Sequence, residues 1–180
     1  MLPFDRDVLD LARALVGARL VVRGAGGTIL ETEAYARDDP ASHSFRGQTA
    51  RNAAMFGPPG TVYVYLSYGL HFCLNVVGRP GEAVLIRALR PELGIDAMAT
   101  RRGMAVDSPL LASGPGRIGQ ALGLTLADSG KRFDGNEFRL IPPEAVPDLV
   151  TGPRIGITRA ADRPWRFGLK GARGLSRPFA

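Results

Sequence analysis

Cysteine is almost missing from this 180-residue chain: Cys73 stands alone. That excludes an internal disulfide and fits a reducing, intracellular compartment. Histidine is nearly as scarce, with only His43 and His71, too few beside one cysteine for a Cys/His zinc cluster. No apolar run approaches the roughly 18 residues of a membrane span. The start, Met1-Leu2-Pro3-Phe4-Asp5-Arg6-Asp7, lacks the cationic and apolar segments of a signal peptide. A soluble, cytoplasmic protein is the expectation. Repeats and low-complexity tracts are also lacking. Lysine occurs only at Lys131 and Lys170, against 21 arginines. GC-rich coding produces such a bias, so it carries no functional reading.

What is present suits one domain over residues 1–180: the hydrophobic content of 45% supports a real core. The net charge of +6 is unevenly placed. From Thr151 onward, seven bases face one acid, Asp162, while the preceding residues hold 16 of each sign. A basic end of this kind serves either solubility or a polyanion such as nucleic acid.

Apolar spacing predicts a helix over Val8–Val16 ending at Gly17. Strands are expected over 19–23 and 28–35, with a turn at Gly24-Ala25-Gly26-Gly27. Residues 36–60 form a long polar loop broken by Asp38-Asp39-Pro40 and Gly57-Pro58-Pro59-Gly60. Strands follow over 61–66, 71–77 and 83–89, with Ser67-Tyr68-Gly69 as a hairpin tip. Helices are predicted over 91–102 and 113–122, the latter capped by Ser113. Short strands are expected over 137–141, 154–158 and 166–169, and the tail from Gly171 is expected to fray. The class is α+β: a single domain with a curved, mostly antiparallel sheet, flanking helices and a protruding hairpin.

Every tyrosine and both histidines lie between Tyr35 and His71. Glu31 and Glu33 precede them and share a strand face with Tyr35. Such acids serve as a solvated face or as chemistry. Two residues apart on one strand, they cannot surround a glycosidic bond from opposite sides, so a single carboxylate activating water is the simpler functional reading. Tyr35, Tyr63, Tyr65 and Tyr68 read individually as core residues, and together as a pocket for a flat ring. His71 and Cys73 read as ordinary hairpin residues. Gly114-Pro115-Gly116-Arg117-Ile118-Gly119 matches a dinucleotide fingerprint formally, yet its flanks do not build the required βαβ unit. It leaves a helix start able to hold a phosphate.

The ordered set Leu30-Glu31-Thr32-Glu33-Ala34-Tyr35, Ala41-Ser42-His43-Ser44, Gln48-Thr49, Arg51-Asn52, Met55-Phe56, Pro59-Gly60-Thr61, Tyr63-Val64-Tyr65, Tyr68-Gly69 and Phe72-Cys73-Leu74-Asn75 closely resembles the alkyladenine (3-methyladenine) DNA glycosylases. The likeness continues through residues 85–89, 113–115, 120–122 and 154–157. It is weakest over 102–111 and 125–150.

The resemblance implies a monofunctional, monomeric base-excision enzyme acting on duplex DNA that contains damaged purines. The substrate class would be 3-methyladenine, hypoxanthine and ethenoadenine. Glu33 is then the general base, with Arg87 and the Ile155 backbone carbonyl holding its water. Tyr35 and His43 stack on one side of the extruded base and Tyr65 on the other. Asn75 excludes normal guanine, and Tyr68 wedges into the minor groove. No cofactor or metal is implied. The distant lysines make a Schiff-base lyase step unexpected. The competing readings are a catalytically silent damaged-DNA binding protein and a glycosidase of free nucleosides.

Overall fold

The computed structural model describes residues 3–179. In chain order the elements are α1 (Val8–Leu15), β1 (Arg19–Val22), β2 (Ala25–Tyr35), β3 (Val62–Ser67), β4 (His71–Val77), β5 (Ala83–Leu93), α2 (Ile95–Arg102), α3 (Pro115–Leu122), β6 (Phe138–Ile141), β7 (Leu149–Gly152) and β8 (Arg166–Leu169). Short 3-10 helices occupy Ala50–Phe56 and Leu126–Asp128. Together they make the expected α+β domain.

All strand pairings are antiparallel. The main path runs β3-β4-β5-β2-β1-β6, and β8 joins β2 and carries β7. The long β2 is the spine. One edge pairs along β5, while the other is divided between β1 near Ala25–Thr28 and β8 at Glu31–Glu33. Register shifts on both sides of Glu31 bend the strand as bulges do, which curls the sheet and re-aims side chains locally. On one face α1 buries Val8, Leu11, Ala12 and Leu15, its start capped by the Asp7 carboxylate, which accepts the N–H groups of Leu9 and Asp10. Leu20, Ile29, Leu74, Ile86, Met98, Phe138 and Phe167 are fully enclosed around it.

Several expected boundaries differ. The β1–β2 turn is Arg23-Gly24, both with positive φ (48° and 81°), the mirror-image geometry that suits a two-residue hairpin. Gly26 and Gly27 belong to β2 instead. A Cβ on Gly27 would stand 1.9 Å from the Arg90 carbonyl oxygen, so glycine is there for close strand approach. The helix expected from Pro91 begins at Ile95, because β5 continues to Leu93. Pro91 fits there opposite Gly27, beside a register shift that tolerates a missing N–H. Ser113 does not cap α3. Its hydroxyl donates to the Leu175 carbonyl, and the helix starts at Pro115 after Gly114. The strand expected over 154–158 is a loop, and β7 was not foreseen. The terminal segment expected to fray is tied down by Ser176, whose N–H donates to Glu31 at 2.6 Å, and by Phe179, which lies under the Arg166 guanidinium at 3.7 Å. Among the described residues no helix is long and apolar enough to cross a membrane.

Candidate active site

A cleft of about 460 Å³ opens beside the β3–β4 hairpin. Tyr35 from β2, His43 from the following loop, Tyr65 from β3, Asn75 from β4, Arg87 from β5 and Ile155 from the loop after β7 all line it. The residues the sequence marked for chemistry therefore converge from six segments.

Glu33 has no exposed surface and lies just behind the cleft wall. Its three polar neighbours form that wall. The Tyr35 hydroxyl donates to Oε2 at 2.9 Å, the Ile155 N–H donates to Oε1 at 2.7 Å, and Arg87 Nη1 lies 3.3 Å from Oε1. A carboxylate offers about four acceptor positions, so one remains open, on Oε2. Burial pushes the Glu33 carboxyl above its ordinary range; Arg87, the Ile155 N–H and the Tyr35 hydroxyl oppose that rise, and Glu31 adds to it. Tyr35 stays a neutral phenol, because burial and the adjacent Glu33 charge hold its ionisation far above normal.

Glu31 is no solvated strand face either. It is fully buried, bound by Arg87 Nε and Arg166 Nη1 at 3.1 Å each and by the Ser176 hydroxyl at 2.7 Å. The two acids thus share Arg87 as a buried counter-ion, which satisfies the rule that buried charges be paired.

The aromatic groups differ from expectation in one respect. His43 does not stand with Tyr35 opposite Tyr65. Its ring meets Tyr65 edge-on, with centroids 4.5 Å apart and planes at 80°, and its Nδ1 hydrogen-bonds the Tyr63 hydroxyl at 2.8 Å. A contact that close leaves no space for a flat ring between them. The second tyrosine anchors the histidine, and burial with the nearby Arg51 charge lowers its pKa, keeping the ring neutral. Tyr35 carries Arg154 on one face at 4.6 Å. Arg154 is itself buried against Asp39 and does not line the cleft, so Tyr35 turns its other face to the opening. Asn75 is held at the back, donating to the Tyr63 and Cys73 carbonyls at 3.1 and 3.4 Å. Tyr68 stands at the hairpin tip with φ 50° and is 87% exposed.

His71 and Cys73, expected to be ordinary hairpin residues, also line the cleft, as do Arg51 and the Pro115-Gly116 start of α3. Strand periodicity could have found the first two. His71, Cys73 and Asn75 alternate onto one face of β4. Two arginines of the basic end, Arg154 and Arg166, are internal, pairing with Asp39 and Glu31. They therefore add nothing to a polyanion surface. Among the described residues no group of three or more His, Cys, Asp or Glu side chains could hold a metal.

The chain is 56% identical over 179 residues to a protein of Nitrosospira multiformis, covering 98% of this chain and 92% of that one. It is 56% identical to a protein of Rhodopseudomonas palustris (98% and 89% covered) and 55% identical to one of Rhizobium meliloti (98% and 95% covered). All three bear the name "Putative 3-methyladenine DNA glycosylase". The family model described as methylpurine-DNA glycosylase (MPG) matches residues 3–173. By that match and by these relatives, the chain belongs to the methylpurine-DNA glycosylase family.

Proposed function

We propose that this hydrolase of N-glycosyl bonds excises damaged purines from duplex DNA after rotating the nucleotide out of the helix. A stacked base is inaccessible to any side chain, so extrusion is physically required. The exposed Tyr68 ring fills the gap and offsets an unstacking cost of a few kcal/mol. The base enters between the free face of Tyr35 and the His43–Tyr65 side. Each stacked ring contributes about 1–3 kcal/mol with little dependence on base identity, which suits 3-methyladenine, hypoxanthine and ethenoadenine alike. Asn75, fixed by its two carbonyl contacts, crowds the 2-amino group of guanine and so rejects a normal base.

The carrying observation is Glu33, buried and pre-oriented by three polar groups that belong to the lining of a cleft bearing aromatic rings, with an acceptor position on Oε2 that none of the three fills. A water held by that position, Arg87 and the Ile155 carbonyl is deprotonated as it attacks C1′. The same negative charge stabilises the cationic sugar that develops as the purine departs. The water's oxygen bonds to C1′ and the electron pair of the C–N bond leaves with the base.

Duplex oligonucleotides containing one hypoxanthine or ethenoadenine, incubated with the protein and then hot alkali, test this. Strand breakage by the wild type and none with Glu33→Gln is expected. Tight lesion binding without breakage would favour a silent damage binder. Rapid hydrolysis of free inosine with no salt-sensitive DNA binding would favour a nucleoside glycosidase.

A further inference from the structure

The chain's terminal segment reaches the catalytic arginine. Ser176 accepts from Arg87 Nε at 3.2 Å and Nη2 at 3.1 Å through its hydroxyl oxygen, while that hydroxyl donates to Glu31 Oε1 at 2.7 Å. Its backbone N–H donates to Glu31 Oε2 at 2.6 Å. The strap around it is anchored on both sides. Ser113 donates to the Leu175 carbonyl, and Arg166 donates to the carbonyls of Arg177 and Pro178 while binding Glu31 through Nη1. Arg87 is thereby held by three of its nitrogens, with Nη1 at Glu33, Nε shared by Glu31 and Ser176, and Nη2 on Ser176.

We infer that Ser176 is a positioning residue, which acts through Arg87 to fix the guanidinium against Glu33 for base excision. The inference rests on the excision reading above. Glu31 competes with Glu33 for the same guanidinium, and both carboxylates are buried. Ser176 and Arg166 satisfy Glu31 independently, so Glu31 need not draw Arg87 away from Glu33. Without the serine hydroxyl, Nη2 loses its partner and Glu31 loses one donor. The fork then swings toward Glu31, and Nη1 leaves the water site.

The test compares wild type, Ser176→Ala, Ser176→Thr and Arg166→Lys in single-turnover excision of a hypoxanthine duplex, with binding, melting and pH profiles measured alongside. Ser176→Ala is expected to slow excision about 10-fold, as sub-ångström misplacement of a catalytic group does. Its affinity for the lesion duplex should stay within about twofold, because the lost contact serves the reaction and not ground-state binding. The acid limb of its profile should move to higher pH. The groups facing Glu33 are Glu31 and Tyr35 on β2, Tyr65 on β3, Arg87 on β5 and the Ile155 N–H, and Arg87 is the main one favouring the ionised form. Ser176→Thr, which keeps an Oγ, should recover the rate to within about threefold. Arg166→Lys, which loses the fork that holds the strap, should move the limb in the same direction. Wild-type rate and limb in Ser176→Ala would overturn the inference. Equal losses in Ser176→Ala and Ser176→Thr, accompanied by lower melting temperatures, would do so too, because they indicate packing alone. An inert wild type, or a Glu33→Gln variant as active as wild type, would instead overturn the excision reading itself.

Discussion

Glu33→Gln separates chemistry from stability at this site. Burial raises the carboxyl above its ordinary value of 4.5. Such a group costs the folded state nothing below its unfolded pKa. The cost grows as pH rises and is complete above the folded pKa, opposite in sign to a carboxylate whose pKa is depressed. Glutamine preserves the shape. Its carbonyl can accept from the Ile155 N–H and Arg87, its amide can face the Tyr35 oxygen, and Arg87 retains Glu31 as counter-ion. Each pH unit of displacement corresponds to about 1.4 kcal/mol. In a chain of this size 1 kcal/mol moves Tm by about 2–4 °C. The variant should therefore melt at or above the wild-type temperature at pH 8, with the difference vanishing below about pH 4. Excision moves the other way. Losing a general base costs about 10²–10⁴-fold, or about 2.7–5.4 kcal/mol of barrier. Single-turnover cleavage of a labelled hypoxanthine duplex and thermal melts at pH 4, 6 and 8 measure both. A variant keeping more than about a tenth of the wild-type rate refutes the base assignment. One that melts several degrees lower at pH 8 refutes the account of the buried charge.

The wild-type excision rate should fall as pH drops through the raised Glu33 ionisation, and Tyr35→Phe, by removing a hydrogen bond that favours the carboxylate, should move that limb further upward. Tyr68→Ala should leave Tm within the ~0.5 kcal/mol typical of exposed substitutions yet weaken lesion binding by about 1–3 kcal/mol, read by titration of a lesion duplex. Gly119→Ala should destabilise by about 1–3 kcal/mol or more, read by denaturant melts, because the added Cβ would meet the Phe72 carbonyl oxygen at 1.9 Å and push α3 off β4. Asp39→Ala strands the buried Arg154 beneath Tyr35 and should cost about 3–5 kcal/mol, checked by the same melts.

Local signals in the sequence located most elements. The α1 stripe, the β3–β4 hairpin and the crowding of aromatics beside Glu33 all follow from short-range periodicity, which tertiary context leaves intact. Boundaries failed where long-range packing decides. Gly26-Gly27 reads as a turn until Arg90 is seen pressing against it, and Pro91 reads as a helix start until its partner strand supplies a register shift to absorb it. The site was legible as a set of residues but not as an arrangement. Nothing in the spacing of His43 tells that Tyr63 pulls its ring onto Tyr65. The link between Glu31 and Ser176 spans 145 positions, far beyond any local pattern.

That long link explains how the repeated acids of Glu31-Thr32-Glu33 take different parts. They are the same residue type, on the same strand face, equally buried, and both contact Arg87. Their environments separate them. Besides Arg87, Glu31 meets a second guanidinium, a hydroxyl and a backbone N–H, and neither Arg166 nor Ser176, which supply them, lines the cleft. Glu33 meets one guanidinium, one N–H and a phenol, and all three groups belong to residues that line the cleft. A base must reach the molecule it serves, so on the proposed reading the carboxylate whose partners line the cleft is the one placed for proton transfer. On the proposed reading Glu33 is therefore the member of the pair placed to act on a molecule in the cleft, while the terminal strap holds Glu31 at the Nε edge of Arg87.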